Sequence, residues 1–516
     1  MQREIELKLL FKPEDMDRLR GLPLVKKLAS GRARTRQLVS VYYDTPGRKL
    51  RKQFVSLRVR RQSGGYIQCV KTLASRIGGL LVRKEVECPV PTESPVVAKI
   101  KDKDLRRLVK NAGADKLEPA FRTSFKRFTR RLTLADGGKL NFDIDTGEIV
   151  TATARESLCE LELELTEGKP HLLFDLALDI HAEVPLRLST VSKSQRGFRL
   201  LSGENPEWRK DARVDLSDDA TVEDALVHTV QHCLDHLLAN ESCTLESEHP
   251  EGVHQMRVAL RRLRSALTLF RSVLPAEQSH LLIDEVKWLT SQMAATRDWD
   301  VFREEIMGPV TAQSPDDQAF QVLQNQLRLA RSQSRRATRK AIRSDRYTKF
   351  LLIMSGWLAK RAWREHHDES VAALLSGPVT DLSDSLIAKR HKKVIKQGRN
   401  FWKLSTAERH QLRIDVKKLR YASDFFSSLY PAKRVRPYAA KLSKLQDALG
   451  YLNDVAVAEN LVQRLCGKCR GEDALLCRLS GGIVIGWHTH ALAQSEGILV
   501  KGVSDFVKCK PFWSLS

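Results

Sequence analysis

Charged side chains recur at every second position in this chain, beginning with Glu4-Ile5-Glu6-Leu7-Lys8. Successive side chains of a β-strand point to opposite faces, so these charges share one face and the apolar residues share the other. The alternation returns in four later segments, which contain Arg58 and Arg60; Arg83, Glu85 and Glu87; Asp143 and Asp145; and Glu160, Glu162 and Glu164. One such strand is typical of a sheet with one face in water. Because acidic and basic rows repeat on strand after strand, we interpret them as the lining of a closed sheet with a charged lumen.

Period-two segments predict at least seven strands up to about Leu201. They are Glu4–Leu9, Val39–Tyr43, Ser56–Arg61, Tyr66–Lys71, Arg83–Val90, Leu140–Asp145 and Leu158–Leu165. Turns are predicted at Gly137-Gly138 and Asp145-Thr146-Gly147, and helices at Pro13–Gly21 and His171–Ala182. This number of alternating strands favours an antiparallel barrel or tunnel.

The second part of the chain has a helical period. Ser202–Arg213 reads as a linker, and from about Val214 we expect helices throughout. The expected breaks are at Pro275, Gly308-Pro309, Ser314-Pro315, Gly377-Pro378 and Pro431. The sequence therefore predicts an N-terminal domain over residues 1–203, a linker over 204–216 and an all-α domain over 217–516.

The helical part repeats itself at an offset of 156 residues, because HQMRVALRRLRSAL begins at His254 and HQLRIDVKKLRYAS begins at His410. The same offset pairs Asp298 with Asp454. Each copy places a basic stripe beside an apolar one, so we expect two duplicated helical bundles that share a cationic groove. A solvated helix face is the alternative, although within these two segments only Asp415 offsets the charge. The candidate anion-binding residues are His254, Arg257, Arg261, Arg262, Arg264, His410, Arg413, Lys417, Lys418 and Arg420.

The formal net charge of +24 indicates an anionic partner, such as nucleic acid, acidic lipid or polyphosphate. The odd number of cysteines, nine, fits a reducing cytoplasm, and Cys466-x-x-Cys469 with Cys477 lacks a fourth zinc ligand at finger-like spacing. We see no signal peptide, and the apolar run 482–487 is too short to span a bilayer. A cytoplasmic protein without a membrane partner is expected.

An ordered series of motifs resembles a known two-domain architecture, in which a CYTH domain precedes a CHAD domain. The CYTH resemblance rests on Glu4-x-Glu6-x-Lys8, Tyr42-Tyr43-Asp44-Thr45-Pro46, Leu57-Arg58-Val59-Arg60, Lys71, Arg83-x-Glu85-x-Glu87, Asp143-x-Asp145-x-Gly147, Glu160-x-Glu162-x-Glu164 and Ser192-Lys193-x-x-Arg196-Gly197. The CHAD resemblance rests on the two basic helix copies and on Pro511-Phe512-Trp513.

The resemblance implies an α+β chain with an antiparallel eight-stranded barrel, the triphosphate tunnel, followed by an all-α domain. It implies that Glu4, Glu6, Lys8, Arg58 and Arg60 belong to the catalytic set, that Lys71, Arg83, Arg127, Lys193 and Arg196 bind substrate phosphates, and that Glu4, Glu6, Asp145, Glu160 and Glu162 hold Mg²⁺ or Mn²⁺. Relatives carry Thr-x-Phe-x-Arg near residue 125, which favours Arg127 as the inward ligand. If the other face of this strand points inward, Arg122 is the ligand instead.

CYTH–CHAD proteins of bacteria resemble inorganic triphosphatases most, so the expected activity is hydrolysis of inorganic triphosphate to diphosphate and phosphate. The CHAD part implies binding of inorganic polyphosphate, along chains or at granules. The alternative from another class is a polyphosphate-binding or sensing protein without useful turnover. Nucleic acid ranks lower, because few aromatic residues accompany the basic stripes for base stacking. The residues leave the general base and the oligomeric state open.

Overall fold

The computed structural model describes residues 3–62, 64–313, 317–366 and 368–513. The chain divides into two compact units. The first unit runs to Glu207 and also takes in Leu245–Ser247 and Ile342–Ala362. The second comprises Trp208–Thr244, Glu248–Ala341 and the chain from Trp363 onward.

The first unit is a closed antiparallel barrel of eight strands, as predicted. The strands are β1 (Arg3–Leu10), β2 (Arg34–Asp44), β3 (Val55–Gln62), β4 (Gly65–Ile77), β5 (Leu80–Val90), β6 (Glu118–Thr133), β7 (Lys139–Val150) and β8 (Arg155–Glu167). The spatial order is β5-β4-β3-β2-β6-β7-β8-β1, and pairing of β1 with β5 closes the barrel. A short strand β9 (Arg187–Leu188) pairs with the end of β1.

The strand register sets opposite charges side by side across the barrel wall, where cross-strand neighbours are close enough to interact. The facing pairs are Glu4 with Arg83, Lys8 with Glu162, Arg127 with Asp145, and Lys71 with Glu85. These residues share the inner face because side chains alternate along each strand.

The helices of the first unit before the linker are α1 (Met16–Gly21), α2 (Pro23–Lys27), α3 (Lys49–Lys52), α4 (Lys103–Gly113), α5 (His171–Glu183) and α6 (Lys193–Ser202). Leu105 and Val109 of α4 are buried against the apolar outer face of β2, β3 and β4, where Val41, Leu57 and Val70 lie. A helix thus covers part of the barrel surface that the alternation leaves apolar.

The remaining helices are α7 (Val222–Ala239), α8 (Glu241–Glu246), α9 (Pro250–Leu269), α10 (Ala276–Gln292), α11 (Ala294–Val301), α12 (Gly308–Thr311), α13 (Gln318–Ile342), α14 (Asp345–Lys360), α15 (Glu369–Ser376), α16 (Val379–Gly398), α17 (Thr406–Phe426), α18 (Ala432–Cys466) and α19 (Gly471–Val507). Of these, α14 belongs to the first unit and packs against α5. Among the described residues, none of the helices has both the length and the apolar character needed to cross a bilayer.

The duplicated segments form α9 and α17, which pack against each other in the second unit. Met256, Leu260 and Leu263 of the predicted apolar stripe are fully buried, and so are their counterparts in α17. Phe270 and Phe426, one at the end of each copy, meet edge to face with ring centroids 6.1 Å apart. The repeat therefore packs its two copies through equivalent apolar faces.

Two local predictions were wrong. Asp145-Thr146-Gly147 is not a turn but continues β7, and a Cβ on Gly147 would lie 2.2 Å from the carbonyl oxygen of Ser124. Gly308-Pro309 does not break the chain of helices, because a π-helical turn over 302–307 leads directly from α11 into α12. Pro309 stands in the first turn of α12, directly after the π-helical turn. The pair Ser314-Pro315 lies outside the described residues.

Candidate functional site

The lumen of the barrel is a charged cavity of about 280 Å³. Its charged lining is Glu4, Glu6 and Lys8 of β1, Arg51 of α3, Arg58 and Arg60 of β3, Lys71 of β4, Arg83, Glu85 and Glu87 of β5, Arg127 of β6, Glu162 and Glu164 of β8, and Lys193 of α6. Residues from distant parts of the sequence meet here because the inner faces of all the strands surround one space. We call this cavity the tunnel.

One wall of the tunnel is a buried cluster of two ammonium groups and three carboxylates. Lys193 lies 2.7 Å from Glu160, 2.8 Å from Glu162 and 2.8 Å from Asp145. Lys8 lies 2.8 Å from Glu162 and 3.5 Å from Glu160. Burial opposes ionisation, but Lys193 and Lys8 outweigh it and lower the pKa of Glu160 to about 2. The pKa of Glu162 is lowered as well, mainly by Lys193 and Lys8, so Glu160 and Glu162 are ionised at neutral pH.

Arg127 extends the same cluster. Its guanidinium contacts Asp143 at 2.9 Å, Asp145 at 2.6 Å and Glu162 at 2.5 Å. Arg122 instead points outward, with about half of its side chain exposed. The strand parity that the sequence left open thus places Arg127, and not Arg122, in the tunnel.

A second wall of the tunnel pairs both carboxylates of β1, Glu4 and Glu6, with cations. Lys71 lies 2.8 Å from Glu4 and 3.0 Å from Glu85, and Arg83 lies 3.0 Å from Glu6. Burial raises the pKa of Glu4 to about 7, and the neighbouring carboxylates Glu6 and Glu85 add to the rise against the opposing effect of Lys71. The Glu4 carboxyl therefore binds a proton more readily than an ordinary glutamate near neutral pH.

Arg58 and Arg60 are the least compensated cations of the tunnel. The guanidinium of Arg58 comes no closer than 3.8 Å to Glu85, and no carboxylate of the described residues lies within 4 Å of Arg60. The Nε atom of each is buried without a hydrogen-bond acceptor among those residues. The nearby charge of Arg58, together with burial, lowers the pKa of Arg60 to about 10. An anion in the tunnel would relieve this repulsion.

Helix α6 carries Lys193 and a further cation, Arg196, and its local sequence fixes where both lie. Ser192 caps its N-terminus in a reciprocal capping box, so Lys193 begins the helix and Arg196 follows one turn later. Arg196 pairs with two carboxylates of β8, at 2.7 and 2.8 Å. A Cβ on Gly197 would lie 2.1 Å from the ring of Phe121, so the helix can approach the barrel this closely only with glycine here.

The predicted metal ligands have the chemistry that a hard divalent cation requires. Glu4, Glu6, Asp145, Glu160 and Glu162 all present carboxylate oxygens to the tunnel or to the cations that line it. One oxygen of Glu6 is buried and lies 3.0 Å from Arg83 without accepting a hydrogen bond from the residues described. Burial and the neighbouring carboxylates raise the pKa of Glu4, and a bound cation would offset both effects. The residues therefore fit a divalent metal.

A second possible ligand group, which the sequence did not reveal, consists of Cys69, Glu85 and Glu87, whose ligand atoms lie within 4.8 Å of one another. Its chemistry suits a metal less well. The Cys69 thiol donates to Glu85 at 2.8 Å, and burial raises its pKa to about 12. A protonated thiol is a poor ligand for Mg²⁺, and Lys71 already contacts Glu85.

The second unit contains a larger cavity of about 590 Å³, which we call the basic cavity. Five of the residues predicted from the repeat line it, namely His254, Arg257, Arg261, Arg413 and Lys417. They are joined by Arg297, Asp298, Asn453 and Asp454, so both copies of the repeat contribute equivalent positions. The repeat thus predicted four of the five lysine and arginine side chains of this lining, and Arg297 was missed.

The cations of the basic cavity repel one another. Burial, then Arg413 and Arg261, lowers the pKa of Lys417 to about 7, and burial with Arg261 lowers that of Arg257 to about 10. Burial and nearby arginines lower the pKa of His254 to about 3, so this imidazole is neutral. Asp298 and Asp454 only partly offset these positive charges. A bound polyanion would therefore stabilise the charged forms of the lysine and the arginines.

Arg262 is placed away from the basic cavity, contrary to its assignment from the repeat. It is 4% exposed, its Nε lies 2.9 Å from Asp211, and its guanidinium stacks on Phe425 at 4.7 Å. Its contacts show a structural role that ties the linker segment of Asp211 to α9 and α17.

The other four predicted residues are not part of the lining of the basic cavity. Arg264 and Lys418 line an adjoining space of about 460 Å³ together with Arg390. His410 contacts Asn453 at 3.2 Å, and Arg420 lies 3.9 Å from Asp424.

Comparison with known proteins identifies both units. Residues 2–198 match the CYTH domain and residues 228–463 match the CHAD domain. An inorganic triphosphatase of Haemophilus influenzae (strain ATCC 51907 / DSM 11121 / KW20 / Rd) is 31% identical over 208 residues, which are 39% of this chain and 56% of that protein. An uncharacterized protein of Mycobacterium tuberculosis (strain CDC 1551 / Oshkosh) is 26% identical over 468 residues, 85% of this chain and 84% of that one. The crystal structure of the CHAD domain from the plant Ricinus communis matches with 29% identity and a TM-score of 0.50, covering 58% of this chain and 96% of that domain. The part of this chain that matches the Haemophilus enzyme spans little more than half of that enzyme's length.

Proposed function

We propose that this chain, which joins a CYTH domain to a CHAD domain, hydrolyses inorganic triphosphate to diphosphate and phosphate in its tunnel. The observation that carries the proposal is the pair Arg58 and Arg60, two buried guanidinium groups with little carboxylate compensation, facing a lumen that also holds crowded carboxylates. Such a site selects an anion and a cation together. The inorganic triphosphatase of Haemophilus, which is similar over the CYTH part, supports the same substrate class.

The substrate would be held by the cations of both walls, since guanidinium and ammonium groups are the usual partners of phosphate oxygens. These are Lys8, Arg58, Arg60, Lys71, Arg83, Arg127, Lys193 and Arg196. Apart from Arg58 and Arg60, ion pairs fix the positions of these cations before substrate arrives, so little reorganisation of them is needed during the reaction.

Glu4, Glu6, Glu160 and Glu162, with Asp145, would hold Mg²⁺ or Mn²⁺. When bound, the metal would neutralise phosphate charge and activate a water for attack on the terminal phosphorus. The protein supplies positioning and electrostatic stabilisation, and forms no covalent bond to the phosphoryl group.

The test is phosphate release from purified protein with triphosphate, in the presence of Mg²⁺ and of a chelator, for the wild type and Glu4→Gln. We expect the variant to lose about 100-fold in kcat, roughly 3 kcal/mol of barrier, because a preorganised electrostatic group is removed. Glu167→Gln is the matched control, since this glutamate is exposed at the far end of β8. Wild-type turnover by Glu4→Gln would refute the assignment.

A second function is favoured by the basic cavity, whose cations lack sufficient counter-charge. We propose that the CHAD part binds inorganic polyphosphate there. The double variant Arg261→Ala, Arg413→Ala should lose polyphosphate binding while triphosphate hydrolysis continues, and exposed Arg328→Ala serves as its control. Competition by RNA at equal phosphate concentration would show whether the site discriminates between the polyanions.

ATP, thiamine triphosphate and long-chain polyphosphate, run beside triphosphate, separate the enzyme from its alternative. If none is hydrolysed and polyphosphate still binds, the chain is a polyphosphate-binding or sensing protein.

A further inference from the structure

Helix α19 carries a stripe of large apolar side chains on its outer surface. Leu475, Leu479, Ile483 and Trp487 are 69%, 56%, 44% and 48% exposed, and they follow one another at intervals of four residues. Side chains spaced in this way lie on one face of a helix. Other large apolar side chains are exposed in the described ranges, but each lies on a different element. Only α19 presents a continuous stripe among them.

Three glycines share this outer face, at positions 482, 486 and 497. A Cβ built on Gly482, Gly486 or Gly497 would meet no atom within 4 Å. Glycine inside a helix costs about 1 kcal/mol relative to alanine. Packing against the described residues gives no reason for that cost at these positions. Bare backbone on an exposed apolar face instead allows another chain to approach closely.

The stripe is also almost free of charge. Between Ala474 and Trp487 the only charged residue is Arg478, although the whole chain carries a net charge of +24. Two copies of so basic a protein repel each other over most of their surface, so they can associate only where charge is absent. A second copy also supplies a stripe with the same shape and polarity, as a symmetric pairing requires.

We propose that two copies of this chain dimerise through α19, with the two helices antiparallel about a two-fold axis near Ile483. In this arrangement Ile483 faces its own counterpart, and Leu479 faces Trp487 of the partner subunit. Gly482 and Gly486 lie beside the axis, where the two backbones come closest, and Gly497 lies further along the same face. The inference stands independently of the proposed enzymatic function, because α19 lines neither the tunnel nor the basic cavity.

The size of the patch indicates a reversible dimer. The four side chains expose roughly 400 Å², which is within the range of patches that mark interaction sites on monomers. Two such patches remove roughly 800 Å² from water, less than the ~1,200 Å² at the lower end of stable interfaces. We therefore expect a dissociation constant on the order of micromolar.

The test is sedimentation velocity of the full chain at about 1 to 100 µM, a range that brackets the expected dissociation constant. The wild type should shift from monomer to dimer with concentration. Ile483→Glu, which sets two carboxylates against each other at the axis, should raise the dissociation constant by about 10-fold or more. Leu281→Glu is the matched control, because this leucine is 65% exposed on α10, outside the stripe.

Gly486→Leu provides a second variant that cannot be explained by misfolding. Open space surrounds Gly486, so we expect the folded monomer to keep or raise its thermal stability while the dimer weakens. A wild type that stays monomeric throughout the concentration range would overturn the proposal, whatever else the face binds. Dimerisation of both α19 variants with wild-type affinity would overturn it as well.

Discussion

The pKa of Lys417 makes polyanion binding by the basic cavity dependent on pH. Burial and the neighbouring Arg413 and Arg261 lower this pKa to about 7, so the free protein loses the ammonium charge just above neutrality. A bound polyphosphate chain would restore the charge, and binding above pH 7 must then take up a proton. Each pH unit above the pKa costs about 1.4 kcal/mol, so affinity at pH 8.5 should be lower by about 2 kcal/mol, roughly 30-fold.

The assay is fluorescence anisotropy of labelled polyphosphate at constant ionic strength, between about pH 6 and pH 9, on either side of this pKa. The wild type should show affinity that is flat below pH 7 and falls about tenfold per unit well above it. Lys417→Met should bind more weakly at low pH and lose the slope. Lys418→Met, at an exposed neighbour, should keep the slope. A wild-type affinity that does not change between pH 6.5 and 8.5 would refute the reasoning.

Three further predictions concern stability and positioning. Gly197→Ala should lower both the melting temperature and the rate of triphosphate turnover, because the added methyl group forces α6 away from the barrel. The control is Gly47→Ala, which lies in open space and should change neither quantity. Arg60→Gln removes a buried cation with no carboxylate within 4 Å among the described residues, so calorimetry should show equal or higher stability while the KM for triphosphate rises. Arg262→Ala leaves Asp211 without its guanidinium partner, and urea unfolding should show a loss of about 2 kcal/mol. Unchanged urea stability would contradict the structural role given to that arginine.

Strand periodicity predicted the barrel and the lining of the tunnel because a closed sheet has only one interior. Once Glu4, Glu6 and Lys8 share a face, that face must turn toward the acid and base rows of the other strands. The alternation alone could not choose between Arg122 and Arg127. Between Arg122 and Arg131, basic residues occur at even and at odd positions alike. The charge pattern therefore did not show which side chains point inward, and it did not reveal β6 as a strand.

The remaining errors arose where a residue acts through a distant contact. Gly147 follows an Asp-Thr pair and resembles a turn, but it is required by the backbone of Ser124 on the neighbouring strand. Arg262 adjoins Arg261 in sequence, yet a turn of about 100° on the helix directs it to Asp211 rather than to the cavity. The local sequence of α9 contains no signal for a partner in the linker.

The tunnel and the basic cavity handle positive charge in different ways, and the difference has a thermodynamic consequence. In the tunnel, Lys71, Arg83 and Lys193 are already neutralised by carboxylates at 2.7 to 3.0 Å. A phosphate group that recruits these cations leaves buried carboxylates without partners, at a cost of several kcal/mol unless another cation takes their place. Anion and divalent metal should therefore bind the tunnel cooperatively, each stabilising the groups that the other displaces. In the basic cavity only Arg297, 3.1 Å from Glu305, and Arg413, 4.0 Å from Asp454, have a carboxylate within 4 Å among the described residues. A polyanion therefore displaces fewer ion pairs there and can bind without a metal.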